Sequence, residues 1–222
     1  MNDICKNLNT IKKTLPKNVT LVAVSKTKPI DDILKAYHCK HKHFGENKVQ
    51  ELIVKQQKLP DDIHWHMIGH LQRNKVKYII PFIYLIHSVD NLKLIKEIDK
   101  QSAKNNKKTN ILLQVKIASE ETKFGMSPTE LEKIIKLSKE ESFPHVRIKG
   151  FMGMATHTDD RKQIYDEFQF LHQLFIKYKT QLADLKYLSM GMSNDYPIAI
   201  DNGSNMIRIG SAVFGSRNYH SG

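Results

Sequence analysis

Short apolar runs, many of them β-branched, recur along the chain, and longer stretches with helical spacing separate them. The short runs are Leu21–Val24, His43–Phe44, Ile63–Ile68, Ile83–Val89, Ile111–Ile117, Val146–Met154, Tyr187–Met190 and Met206–Ile209. Between them, Ile164, Phe168, Leu171, Phe175 and Tyr178 advance by four and three residues, which places them on one helical face. Leu131, Ile134 and Ile135 begin a second face after Ser127-Pro128, an N-cap followed by proline at the first helical position. Glu130 completes a capping box with Ser127. Leu92, Ile95 and Ile98 form a third face after Asp90. The polar run Lys104 to Thr109 reads as a turn between two elements.

Strands that alternate with helices are parallel, because parallel neighbours need a crossover of a dozen or more residues. Eight strands close a barrel whose interior side chains can fill. An open doubly wound sheet is the competing architecture. Its G-x-G-x-x-G phosphate loop is missing, since Val24 is followed by Ser25-Lys26-Thr27-Lys28-Pro29. The expected fold is therefore a single (β/α)8 TIM barrel over residues 1–222, with its active face at the C-terminal ends of the strands.

The chain has 222 residues, 40% of them hydrophobic and 26% charged, which excludes disordered and collagen-like classes. Residues Met1 to Leu15 lack the apolar core of a signal peptide. The longest apolar stretch, Tyr78 to Val89, is broken by Pro81 and His87 and falls short of the ~20 residues that span a bilayer. A cytoplasmic protein without membrane contact is expected. Cys5 and Cys39 have no metal-ligand spacing, so neither a cysteine zinc site nor a disulfide scaffold is expected.

Candidate chemistry gathers at the strand ends. Val22, Val24 and Lys26 share one face of strand 1, so Lys26 lies at the barrel mouth if the valines point inward. A lysine desolvated there loses basicity and becomes a nucleophilic amine suited to a Schiff base. A surface lysine at the start of a loop is the plainer alternative, and Lys28 has the same parity. Asn47, after Phe44-Gly45-Glu46, either offers its amide to a ligand or caps the next helix. His66 shares a face with Ile68 and reads as a core histidine rather than a general base.

Strand 7 runs into Gly191-Met192-Ser193-Asn194-Asp195, and strand 8 into Arg208-Ile209-Gly210-Ser211-Ala212. The loops after strands 7 and 8 commonly bind phosphate in such barrels. Here glycines permit close approach and the Ser193 and Ser211 hydroxyls can donate; two ordinary turns with serine caps are the alternative. Met206, Arg208 and Gly210 share a face, which lets Arg208 point into the mouth, although pairing with a surface carboxylate is equally open on spacing. Arginine can only donate, so beside a pyridine nitrogen it keeps that nitrogen unprotonated and weakens the ring as an electron sink. A nucleophilic lysine, a phosphate cup and an arginine on a ring nitrogen together describe a pyridoxal phosphate site.

Ordered blocks carry the same reading further. They are Leu21-Val22-Ala23-Val24-Ser25-Lys26-Thr27-Lys28-Pro29, Phe44-Gly45-Glu46-Asn47 and Trp65-His66-Met67-Ile68-Gly69, with Leu71-Gln72 and Asn74-Lys75 following. Lys123-Phe124-Gly125, Gly150-Phe151-Met152, Leu188 to Ser193 and Ile207-Arg208-Ile209-Gly210 come later. With these blocks the chain resembles the pyridoxal phosphate homeostasis proteins, single-domain barrels similar to the alanine racemase N-terminal domain. The resemblance implies that Lys26, rather than Lys28, holds the cofactor as an aldimine. It also implies that Ser193, Gly210 and Ser211 hold the phosphate, that Arg208 faces the ring nitrogen, and that Asn47 lies beside the cofactor. Ser211 departs from the usual threonine but keeps the hydroxyl, and His70 occupies a variable position.

Two further functions compete with a carrier that sequesters pyridoxal phosphate and supplies it to apoenzymes. An amino acid racemase needs acid–base groups on both faces of the α-carbon. In the racemases this barrel resembles, a second domain and a partner subunit supply the opposite base, and Gly210 to Gly222 is too short to build that domain. Nucleic-acid binding is prompted by a net charge of +12 and by Lys40-His41-Lys42-His43. Charge without a recognition motif gives only salt-sensitive, sequence-independent association. The expectation is a monomeric carrier with pyridoxal phosphate as ligand, PLP-dependent apoenzymes as partners, no catalytic residue and no metal.

Overall fold

The computed structural model describes residues 3–120 and 123–215. Its eight strands are β1 (Thr20–Val24), β2 (His43–Glu46), β3 (His64–Met67), β4 (Leu85–Val89), β5 (Thr109–Gln114), β6 (Val146–Met152), β7 (Tyr187–Ser189) and β8 (Met206–Ile209). They form a closed parallel barrel in chain order, and β8 returns to β1 with Thr20 opposite Met206 and Val22 opposite Arg208. The (β/α)8 architecture read from the alternation is thus the fold of this chain. Residues 216–222, part of the C-terminal stretch weighed above, lie outside the described residues.

The helices are α1 (Ile4–Thr14), α2 (Ile30–His38), α3 (Val49–Gln56), α4 (Val76–Ile79), α5 (Leu92–Lys104), α6 (Pro128–Lys139), α7 (Arg161–Lys179), α8 (Tyr196–Asp201) and α9 (Ser211–Phe214). The capping box at α6 is present in both directions between Ser127 and Glu130. All five apolar residues of the α7 face are buried. Helix α1 occupies a segment to which the sequence patterns above assign no element. Ile4, Leu8 and Ile11 recur by four and three and are buried, while Asp3 caps the helix by accepting from the Lys6 amide at 2.9 Å. A disulfide joins Cys5 of α1 to Cys39 at the end of α2, with Cα atoms 5.8 Å apart. It is a single cross-link between adjacent helices rather than a scaffold, and a separation of 34 residues gives no hint of it. Among the described residues no helix is long and apolar enough to cross a membrane.

Strand alternation sorts the side chains. Leu21, Ala23, Ile207 and Ile209 face the helices and join the main core. Val22, Leu85, Leu112, Met152 and Met206 form a separate apolar cluster inside the barrel. The rest of the interior is polar. His43 Nδ1 lies 3.0 Å from His66 Nε2, His66 Nδ1 lies 2.8 Å from His87 Nε2, and His87 Nδ1 lies 3.1 Å from Ser189 Oγ. Arg208 donates to that same hydroxyl at 2.7 Å. A hydrogen-bonded line therefore crosses the barrel from β2 to β8.

Burial disfavours the charged imidazolium. It holds His66 and His87 well below the usual histidine range, pushes His43 down to about 4 and His41 to about 3. Native pKa values below the unfolded one stabilise the fold above pH 6.5, and that stability is lost as pH falls, because the unfolded chain takes up protons that the native state refuses. The urea midpoint should therefore drop already between pH 6.5 and 5, above the range where carboxylates titrate, with roughly 2 kcal/mol lost for each of His66 and His87 by pH 5. A midpoint that stays flat over that interval would contradict the neutral interior.

Candidate functional site

The C-terminal ends of the strands bring most of the sequence-derived residues to one mouth. Strand β1 runs into a turn at Ser25, Lys26 and Thr27, with Thr27 in the left-handed region at φ 63°. Glu46, at the end of β2, holds this turn from behind. Its buried carboxylate accepts from Ser25 Oγ at 2.5 Å and from Lys55 Nζ at 2.8 Å. Lys55 also donates to the Ser25 carbonyl at 2.7 Å and to Glu51 at 2.6 Å, and Glu51 in turn accepts from the Thr27 amide at 2.6 Å. The backbone on both sides of Lys26 is thereby gripped by one ion network. Burial raises the Glu46 pKa, and the Lys55 ammonium opposes that shift.

Lys26 and Lys28, equivalent by spacing, part company here. The Lys28 ammonium donates to the carbonyls of Phe214 and Gly215 at 3.3 and 3.2 Å, so it ties off the end of α9. Lys26 lies in the turn that follows β1, two residues beyond Val24.

Asn47 is the first residue after β2, and it does not cap α3. The N-cap there is Lys48, with no side-chain cap bond. Gly69 packs directly on the Asn47 backbone: a Cβ at that glycine would sit 2.4 Å from the Asn47 carbonyl oxygen. Asn47 is thus held at the mouth by a contact that only glycine permits.

On the far side, Arg208 is almost fully buried and points inward, as alternation predicts. Nη1 donates to the Ser189 carbonyl at 2.9 Å and to its hydroxyl, and Nη2 donates to the Gly153 carbonyl at 3.1 Å. Arginine has five N–H groups, so three bonds leave two donors for a ligand. Burial lowers its pKa to about 10, partly offset by the Asp195 carboxylate, and it remains a cation at neutral pH. The loops after β7 and β8 meet: Ser211 Oγ donates to Ser193 Oγ at 3.2 Å. Gly191 adopts φ 98°, where a Cβ would also strike Ala199 and Tyr196. A Cβ at Gly210 would lie 3.3 Å from the Val24 carbonyl oxygen, so the start of α9 rests against the end of β1. The Ser211 and Ala212 amides, in the first turn of α9, have no helical acceptor.

Two converging hydroxyls, first-turn amides, a buried arginine with spare donors and a lysine on a rigid turn fit a phosphorylated aromatic aldehyde. His66 is fully buried among imidazoles and takes no place at this mouth, in keeping with its reading as a core residue. The sequence reading missed Glu46, Glu51 and Lys55, and also Ser189 and His87 beneath Arg208. The only signal was an (i, i+4) Glu51–Lys55 spacing, common on solvated helices.

Comparison with known proteins places the chain in a family. The family model described as the alanine racemase N-terminal domain matches residues 1–218. The chain is 38% identical to a pyridoxal phosphate homeostasis protein of Aquifex aeolicus, covering 90% of this chain and 87% of that protein. It is 42% identical to one of Helicobacter pylori, covering 88% and 87%. Among solved structures it is similar to PipY of Synechococcus elongatus with PLP bound, at a TM-score of 0.86, 33% identity and coverage of 96% and 100%. An alanine racemase of Clostridium difficile shares the fold, at a TM-score of 0.79 and 15% identity over 58% of that chain.

The buried pair behind the turn gives a direct test. Lys55→Ala leaves the Glu46 carboxylate buried without its cation and should cost about 3–5 kcal/mol in urea unfolding at pH 7, whereas Glu46→Leu with Lys55→Met should recover most of it. A loss below about 1 kcal/mol for Lys55→Ala would show that the pair does not hold the turn.

Proposed function

The chain belongs to the pyridoxal phosphate homeostasis protein family, and from that premise we propose that it binds pyridoxal 5'-phosphate covalently through Lys26 and acts as a carrier that supplies it to apoenzymes. The observation that carries the proposal is the convergence of the Ser193 and Ser211 hydroxyls at the mouth walled by Arg208. When bound, the cofactor supplies an electrophilic aldehyde and an aromatic ring able to take up charge. Ser193, Ser211 and the α9 amides hold the phosphate; hydrogen bonds to a charged acceptor contribute roughly 1.5–3 kcal/mol each. Gly210 allows close approach, and Asn47 lies beside the cofactor. Arg208 donates to the ring nitrogen and, as a permanent cation, keeps the proton off it. The Ser25–Thr27 turn presents the Lys26 amine to the aldehyde carbon, while Lys28 remains engaged with α9.

The same groups argue for holding rather than turnover. An unprotonated ring nitrogen withdraws little charge from a reacting α-carbon. Reversal of configuration also needs a proton donor opposite Lys26. On the near side of the mouth Lys28 is occupied, and Glu46 and Lys55 are turned to each other beneath the turn. A racemase remains the competing reading because the fold is shared with that enzyme class.

Added pyridoxal phosphate should give a visible absorbance band and, after borohydride, an adduct mapped to Lys26. Lys26→Ala should remove both and Lys28→Ala should keep both; an adduct on Lys28 would overturn the assignment. With L-alanine in deuterated water, the loaded protein should form D-isomer no faster than free pyridoxal phosphate. Rapid racemisation abolished by Lys26→Ala would make it an enzyme.

A further inference from the structure

The opposite end of the barrel holds a second cavity. A space of about 500 Å³ opens at the N-terminal ends of β1, β2 and β3, where Thr20, His43 and His64 line it. Lys12, Lys17, Lys40 and Lys42 also line it, and its wall contains no carboxylate. Lys42 is satisfied by Asp62 at 2.6 Å. Among the described residues, Lys12, Lys17 and Lys40 have no carboxylate within ion-pair reach. Three uncompensated ammonium groups around one concavity repel each other unless an anion joins them. Leu15 and Leu21 give the wall an apolar part as well.

The interior imidazoles add donors to this cavity. Arg208 can only donate, so the Ser189 hydroxyl accepts from it, and among the described residues the buried hydroxyl's own proton has His87 Nδ1 as its acceptor. His87 must then donate from Nε2 to His66 Nδ1, and His66 from Nε2 to His43 Nδ1. His43 in turn directs its Nε2 proton to His64 Nδ1, at 3.4 Å. The outermost N–H, on His64 Nε2, has no protein acceptor among the described residues. The Ser189 proton thus orients the imidazoles so that the chain ends as a donor at the cavity. These rings are not a metal site, since among the described residues no group of three such side chains converges as metal ligands would.

We propose that this N-terminal mouth binds a small phosphorylated anion, of nucleotide size or less, between Lys12, Lys17, Lys40 and the His64–His43 pair. The volume lies within the range of small-molecule sites. Multiple phosphate charges match three cations, while the imidazole N–H supplies a directed bond. A proton readout follows. Burial, His64 and the Lys12 charge hold His43 neutral. His66 and Tyr84 pack against it and bring no negative charge at neutral pH. An anion over Lys12 cancels the repulsive part, so His43 protonates at a higher pH when the mouth is filled.

The test uses inorganic pyrophosphate on the full chain carrying Ser193→Ala and Ser211→Ala, which silences the opposite phosphate cup. Calorimetry and nitrogen-resolved NMR of the imidazoles are read together. Pyrophosphate should bind, raise the His43 titration midpoint by about one pH unit, and lose at least tenfold affinity when Lys12→Ala, Lys17→Ala and Lys40→Ala are added. These exposed or half-exposed lysines leave the core intact, which the unchanged urea midpoint of that variant checks. Failure to bind, a His43 midpoint that does not move, or equal binding without the three lysines would each overturn the proposal. None of these outcomes depends on whether pyridoxal phosphate occupies the other mouth, which the visible band reports separately.

Discussion

A cation buried inside a closed barrel constrains everything around it. Arg208 sits on β8 facing inward, where an unpaired guanidinium would be prohibitively costly. The acceptors that make it tolerable come from β7 and from the end of β6: the Ser189 carbonyl and hydroxyl, and the Gly153 carbonyl. Because those acceptors are spent on Arg208, the next layer inherits an orientation. His87, His66 and His43 take the tautomers that leave the Ser189 hydroxyl proton an acceptor, and burial keeps them neutral, so no second positive charge competes with the first. One strand-end arginine thus dictates half of the barrel interior, and the apolar cluster around Val22 and Leu112 fills the rest.

The Lys26 side of the mouth follows a different logic. The turn that carries Lys26 has a backbone held on both sides. The chain achieves this by placing the ion pair one layer behind. Glu46, Lys55 and Glu51 hold Ser25 and Thr27, and Lys28 ties off α9, which carries Ser211. Gly210 resting on Val24 brings that same helix against β1. The helix that carries Ser211 and the lysine turn therefore pack as one unit, although they lie at opposite ends of the sequence.

Much of this was legible beforehand, and the reason is local. Eight apolar runs, the α7 stripe, the Ser127–Glu130 box and strand parity at Val22 and Arg208 are all short-range patterns, and each appears where periodicity puts it. The two glycine-serine turns were visible for the same reason. Other features depend on contacts between distant segments. Helix α1 was obscured because three apolar residues in eleven make a weak stripe beside so many lysines. The Cys5–Cys39 link joins two helices that only the fold brings together. The imidazole line uses His43, His66 and His87 from three strands, each of which alone looks like an ordinary core histidine.

The same barrel serves racemases, so fold cannot decide between catalysis and storage. What separates them is where protons can go. At this chain's mouth the buried Arg208 is a permanent donor, the Lys28 amine bonds the end of α9, and the buried carboxylate behind the turn is held by Lys55. In the proposed binding mode, each of these arrangements would withhold a proton acceptor or donor from the ligand while leaving the contacts to its phosphate and aldehyde in place. Binding energy is then spread over parts of the ligand that do not change during a reaction, the condition under which affinity rises without acceleration. Under the proposed carrier role, a site built in this way would retain its ligand and leave the chemistry to the protein that receives it.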